Sequence, residues 1–274
     1  MMRLPKDIAS HCCGVGQTKA NNSLANLLIL SIMAGMFIAL ASAGANTVSS
    51  TIANPALAKL AAAAVFPCGL LMVLLAGGEL FTGNALFLPM ASMQQQVSIA
   101  MILRNWAVVY IGNFIGSFFI ALLVYFSGQM NLFEGAVALQ TIKTAAYKTS
   151  LSFMQALILG IMCNFLVCIA IWISLAAKTV SGKIIGLYMP IMLFILSGYE
   201  HSIANMYYIP AGLLAQSGTF HTAGAAIANI DQLTWSGFFF NNLLPVTIGN
   251  IIGGTLLVGV MYWFAYLKNN AKQS

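Results

Sequence analysis

Long apolar stretches and short polar connections alternate along the chain. The apolar stretches run from about Leu27 to Val48, Leu60 to Met90, Trp106 to Phe126, Phe153 to Ala176, Ile184 to Leu214 and Phe238 to Leu267. A membrane-crossing helix needs about 20 apolar residues, so each stretch is long enough to span a bilayer. Two are interrupted. Gly77-Gly78-Glu79, with Gly83 and Asn84 close behind, breaks the second, and Ser197-Gly198-Tyr199-Glu200-His201 breaks the fifth. The pattern predicts an all-α membrane protein with six transmembrane helices, of which the second and fifth are broken. It forms one transmembrane domain over residues 1–274, flanked by short segments at about 1–25 and 268–274.

Composition narrows the class. The chain is 60% hydrophobic and 6% charged, where soluble domains carry about 25% charged residues. A soluble enzyme, a disordered chain and a disulfide-built secreted domain are excluded. The net charge of +6 is scattered rather than gathered into a basic run, so nucleic acid is not the implied partner. It records orientation instead. Arg3, Lys6, Lys19, Arg104, Lys178, Lys183, Lys268 and Lys272 fall at the termini or in the 2–3 and 4–5 connections, while Lys59, Lys143 and Lys148 fall on the other side. Both termini are therefore expected in the cytoplasm. The polar start, MMRLPKDIASHCCGVG, does not resemble a signal peptide, so the first span is expected to direct insertion. Cys12, Cys13, Cys68, Cys163 and Cys168 show neither disulfide nor zinc spacing and read as small buried hydrophobes.

The halves echo each other. Gly112-Asn113-Phe114-Ile115-Gly116 in the third span matches Gly249-Asn250-Ile251-Ile252-Gly253 in the sixth, and both middle spans are broken. Three spans per half is odd, so the second half enters from the opposite side, as an inverted 3+3 repeat. Such repeats place their ligand site near the midplane, on the broken helices. The glycine-rich stretches read as close helix contacts.

Irregular backbone at membrane depth survives only where protein buries it or a cavity hydrates it, and intramembrane ionisable residues mark function. Ser197-x-x-Glu200 has capping-box spacing, which predicts a half-helix starting there, with Ser197 as cap and Glu200 holding early backbone N–H groups. Glu79 takes the same anchoring role. His201, the one histidine inside a span, falls at a half-helix start, where the helix end attracts anions. Asn205 lies one turn on. No second ligand stands at metal spacing from His201, and no phosphate-binding glycine loop is present, so no metal, cofactor or nucleotide is expected.

Four segments resemble the formate/nitrite transporter family: Leu74-Leu75-Ala76-Gly77-Gly78-Glu79-Leu80-Phe81-Thr82-Gly83, Gly160 to Ala170 around Asn164, Gly198-Tyr199-Glu200-His201-Ser202-Ile203-Ala204-Asn205-Met206, and Pro245 to Asn250. The resemblance runs from about Asn22 to Lys268. It implies an aquaporin-like fold and a homopentamer in the cytoplasmic membrane, with one pore per protomer. It further implies a central chamber with His201 and Thr82, a cytoplasmic constriction at Leu70 and Leu80, and a periplasmic one at Phe66, Phe81 and Phe194. Lys148 matches an external lysine that draws anions inward, and Asn164 and Asn250 support the same region. The implied cargo is a small monovalent weak-acid anion such as hydrosulfide, formate or nitrite, with the hydrosulfide branch the nearest in appearance. A bare anion loses its hydration at an apolar constriction, whereas the neutral acid loses far less. Two other classes are an aquaporin-type channel for neutral solutes, which would carry paired Asn-Pro-Ala elements, and an integral membrane enzyme, which would need several ionisable residues converging on one span face.

Overall fold

The computed structural model describes residues 2–218, 220 and 226–268. The expected tail beyond Lys268, including Lys272, lies outside the described residues, as does part of the 5–6 connection. Ten helices follow in order: α1 Pro5–Ala20, α2 Leu24–Ser49, α3 Pro55–Gly77, α4 Phe81–Met93, α5 Ile99–Phe126, α6 Ala136–Thr149, α7 Phe153–Ala176, α8 Val180–Leu196, α9 Ser202–Ser217 and α10 Gly237–Tyr266. Five of them, α2, α3, α5, α7 and α10, are individually long and apolar enough to cross a membrane. The shorter α8 and α9 together make the broken fifth segment, as α3 and α4 make the second.

Local chemistry sets the helix starts. Ser23, Asn54, Ser98 and Thr179 each accept a hydrogen bond from an early backbone N–H of α2, α3, α5 and α8. Ser152 and Gln155 form a reciprocal capping box at α7. Pro55 at the first position of α3 has no N–H to lose there. The last long helix winds through π-helical turns at Gly237–Leu243 and Ile252–Val260.

The main packing relations of the first five helices have counterparts in the second five. α2 packs on α5 as α7 packs on α10; α1 packs on α4 as α6 packs on α9; α4 meets α10 as α9 meets α5; and α3 meets α8. The long-helix pairs approach through the glycines read from the sequence. A Cβ on Gly112 would collide with Ser31 and one on Gly116 with the Ile32 carbonyl, and Gly249 and Gly253 lie as tightly against the Leu157 and Ile161 carbonyls.

Burial differs from that of a soluble protein, although an apolar core is present. Asn105, Asn113, Asn164, Asn205, Asn242 and Asn250 are fully buried, while Ile29, Ile111, Phe126, Ile185, Phe240 and Met261 are exposed. A bilayer rewards that arrangement, because amides need partners inside while aliphatic side chains lose nothing against lipid. Four cysteines are buried as expected, but Cys68 is exposed. It lies beside Pro67 on a face of α3 turned away from the rest of the chain.

Two elements were not legible as apolar segments. The chain before the first span folds as α1, and the 3–4 connection contains α6. Both are polar enough to escape a search for spans, and both dock on a half-helix.

Candidate functional site

The site forms where the two breaks meet. Gly77 ends α3 with φ of +93°, and Gly198 follows the end of α8 with φ of +74°, a backbone region open chiefly to glycine. At Gly198 the N–H of Tyr199 reaches back to Phe194 O and that of Gly198 to Ile195 O, a Schellman termination. Ser197 therefore ends a helix, and the capping-box expectation is corrected. The cap of α9 is His201 itself, whose Nδ1 accepts from Ala204 N at 3.1 Å.

The unwound backbone is satisfied by one asparagine per half. Asn113 Nδ2 donates to Ser31 O at 2.8 Å and Glu79 O at 2.9 Å, and its Oδ1 accepts from Phe81 N at 3.0 Å. Asn250 Nδ2 donates to Gly160 O at 2.8 Å and Glu200 O at 3.0 Å, and its Oδ1 accepts from Ser202 N at 2.9 Å. Glu79 N and Glu200 N donate to Leu30 O and Leu159 O. Each break is thus pinned to the long helices of its own half.

The glutamates are anchors, but side chains hold them rather than backbone N–H groups. Lys148 Nζ donates to Glu200 Oε1 at 2.8 Å, while Asn205 and Asn242 donate to Oε2 at 2.7 and 3.1 Å. Lys19 Nζ and Asn84 Nδ2 both donate to Glu79 Oε2 at 2.8 Å, and Asn84 also donates to Asn105 at 2.9 Å. Asn205 thus serves Glu200. Lys148, 9% exposed, is the buried ion-pair partner of Glu200, a fixed contact where the sequence suggested a solvated external charge. Lys19, Asn84, Asn105, Asn113 and Asn242 were missed. The available signal was equal spacing: Asn105 precedes Asn113 as Asn242 precedes Asn250, and Asn84 follows Glu79 as Asn205 follows Glu200.

Between the anchors, Thr82 Oγ1 lies 3.0 Å from His201 Nε2. With Nδ1 accepting from Ala204, the ring is a neutral imidazole that carries its proton on Nε2 and donates it to Thr82. The threonine hydroxyl hydrogen then remains available to a further acceptor. Asn164 Nδ2 donates to both Thr82 O at 3.2 Å and Asn250 O at 2.6 Å, tying the two halves beneath this contact.

Phe66 and Phe194 meet edge to face, 5.4 Å apart, and Phe194 lies 6.0 Å from the His201 ring. Phe81 packs edge-on to Trp106 at 5.8 Å and to Tyr110 at 4.9 Å, partners different from those of Phe66 and Phe194. Leu70 and Leu80 are buried in the core. Leu80 precedes Phe81 in the first break as His201 precedes Ser202 in the second. No group of three or more metal-ligating side chains occurs among the described residues.

Known proteins share this framework. The family model for "Formate/nitrite transporter" matches residues 6–264. The chain is 37% identical to a probable formate transporter of Methanothermobacter thermautotrophicus, covering 96% of this chain and 97% of that one. It is also 37% identical to the formate channel FocA of Escherichia coli (strain K12), covering 97% and 95%. A solved structure of a pentameric formate channel with formate bound superposes with a TM-score of 0.81 at 34% identity, over 89% of this chain and 98% of that one. A solved FNT family ion channel superposes with a TM-score of 0.83 at 29% identity, over 94% and 98%. With one family model spanning nearly all of it and relatives of this identity matching end to end, the chain belongs to the formate/nitrite transporter family of membrane channels and transporters.

Proposed function

We propose that this protein is a passive channel for small monovalent weak-acid anions, formate foremost, across the cytoplasmic membrane. The relatives and solved channel compared above are named for formate, and the family model for formate and nitrite, which favours these anions over the hydrosulfide preference read from the sequence. The observation that carries the reading is the Thr82–His201 contact at the meeting point of the two breaks. It presents a hydroxyl donor, backed by a neutral imidazole, beside the Phe194 ring. A small anion that has shed water needs such a donor. Phe66 and Phe194 form the outer constriction and Leu70 and Leu80 the inner one, with the chamber between them.

Three further features belong to the proposal. The halves are related by an inverted 3+3 repeat, supported by the paired packing relations and by the odd number of crossings in each half. The termini face the cytoplasm, supported by the distribution of basic residues, and the protein assembles as a homopentamer, as the solved formate channel does.

Reconstituted liposomes provide the test. Formate, nitrite and hydrosulfide uptake should exceed that of empty liposomes, while glycerol uptake should not. Glycerol uptake with no anion flux would replace this reading with a neutral-solute channel.

A further inference from the structure

The three basic residues assigned to the outer side, Lys59, Lys143 and Lys148, line one cavity of about 620 Å³ together with Tyr199 and Glu200. Their electrical situations differ. Lys148 is committed to Glu200 at 2.8 Å, and the second carboxylate oxygen is taken by Asn205 and Asn242. Among the described residues the ion pairs are Lys148–Glu200 and Lys19–Glu79. Glu200 is also the one carboxylate in the cavity lining. The charge left uncompensated in the basin is therefore that of Lys59 and Lys143.

Lys59 is placed to use that charge. A Cβ built on Gly198 would lie 3.7 Å from Lys59 Nζ, so the ammonium sits over the turn that leads into Glu200 and His201. On α3, Lys59, Ala62 and Phe66 follow one another at helical spacing on one face. Ala62 lines the cavity, and Phe66 forms the aromatic pair with Phe194. Seven residues of helix rise about 10 Å, so the ammonium stands roughly that far outside the constriction. The Debye length is about 8 Å at physiological salt and about 30 Å at 0.01 M, so its field reaches the constriction mainly at low ionic strength.

We propose that Lys59, assisted by Lys143, is the residue that concentrates anions at the outer mouth of the pore, while Lys148 is the structural partner of Glu200. This rests on the channel reading above. The basin is far larger than formate or nitrite, so it collects by charge and leaves discrimination to the aromatic pair. The plain alternative is that Lys59 only steadies the end of α8, with its ammonium beside the carbonyl end of that helix.

The test is initial uptake of formate and of nitrite into liposomes at low and high ionic strength, with wild type, Lys59→Gln, Lys59→Arg and Lys143→Gln at matched density of assembled protein. One charge about 10 Å away changes the local anion concentration by about twofold to fourfold at low salt. Lys59→Gln should lower both fluxes by that factor at low salt, converge on wild type at high salt and leave the formate-to-nitrite ratio unchanged. Lys59→Arg should behave as wild type, and Lys143→Gln should show a smaller effect of the same kind. Lys59→Gln equal to wild type at low salt would overturn the proposal. So would a loss independent of salt and shared by Lys59→Arg, which would assign Lys59 to the fold. Absence of anion uptake by wild type would instead defeat the channel reading itself.

Discussion

Asn113 and Asn250 occupy equivalent positions in the two halves and make the same three hydrogen bonds, each fastening a broken helix to the long helices beside it. Both side chains are fully buried and have their amide groups committed to backbone. They hold the unwound backbone in place, and that backbone sets where Leu80, Thr82 and His201 stand.

Replacing either asparagine by alanine leaves two backbone carbonyls and one N–H without that partner inside a membrane domain. Each unmet buried group costs about 1–3 kcal/mol. Asn113→Ala and Asn250→Ala should each destabilise the protein by about 2–4 kcal/mol, and by similar amounts, in thermal unfolding of the detergent-solubilised protein. An unchanged melting temperature in either would remove that asparagine from the account.

Lys148 and Glu200 should behave as a unit. Removing one partner of a buried pair strands the other, at about 3–5 kcal/mol. Lys148→Met should therefore melt well below wild type, and adding Glu200→Gln should recover much of the loss. A double variant no more stable than Lys148→Met would show that the two side chains are not coupled.

The aromatic rings should separate by position. Phe194→Ala or Phe66→Ala removes half of an edge-to-face pair beside His201 and should widen the constriction, raising chloride flux relative to formate. Phe81→Ala empties a packing site among Trp106 and Tyr110 instead. It should lower the yield of folded protein, by about 3–5 kcal/mol of stability, and leave the flux ratio unchanged. Flux ratios measured on purified, assembled protein decide it. A looser ratio in Phe81→Ala with an unaltered one in Phe194→Ala would reverse the assignment.

Much of this was legible in the sequence. Six apolar segments and two glycine-marked breaks gave the spans, and ionisable residues at membrane depth pointed to Glu79, Glu200 and His201. The close-contact glycines were visible as a repeated motif. What escaped follows from the signals used. α1 and α6 are not apolar, so hydropathy passed over them, although they deliver Lys19 and Lys148 to the two glutamates. Lys19 was read as an orientation signal because its partner lies far along the chain. Ser197-x-x-Glu200 satisfied a capping pattern, but the adjacent glycine in the left-handed region ends a helix there, and the imidazole of His201 replaces the serine as cap. Phe81 is adjacent in sequence to Thr82, but its ring packs on Trp106 and Tyr110, partners from the third span that sequence proximity does not reveal.

The central claim is that the His201–Thr82 pair receives the anion. Asparagine at position 201 is a fitting replacement, since its side-chain oxygen can accept the Ala204 N–H as a good helix cap while it lacks a ring nitrogen to charge or to reach Thr82. A charged imidazole would carry hydrogen on both nitrogens and lose the Ala204 bond, so the structure describes a neutral donor, and proton transfer through this ring would require the cap to open. The most direct measurement is formate flux and current for His201→Asn in liposomes between about pH 5 and pH 8, where histidine ordinarily titrates, at matched density of assembled protein. The account predicts a flux lower by about twofold to tenfold across that range, the scale of the one neutral hydrogen bond lost between the imidazole and Thr82. The same flux with the same pH profile as wild type would contradict it and make His201 a capping residue alone.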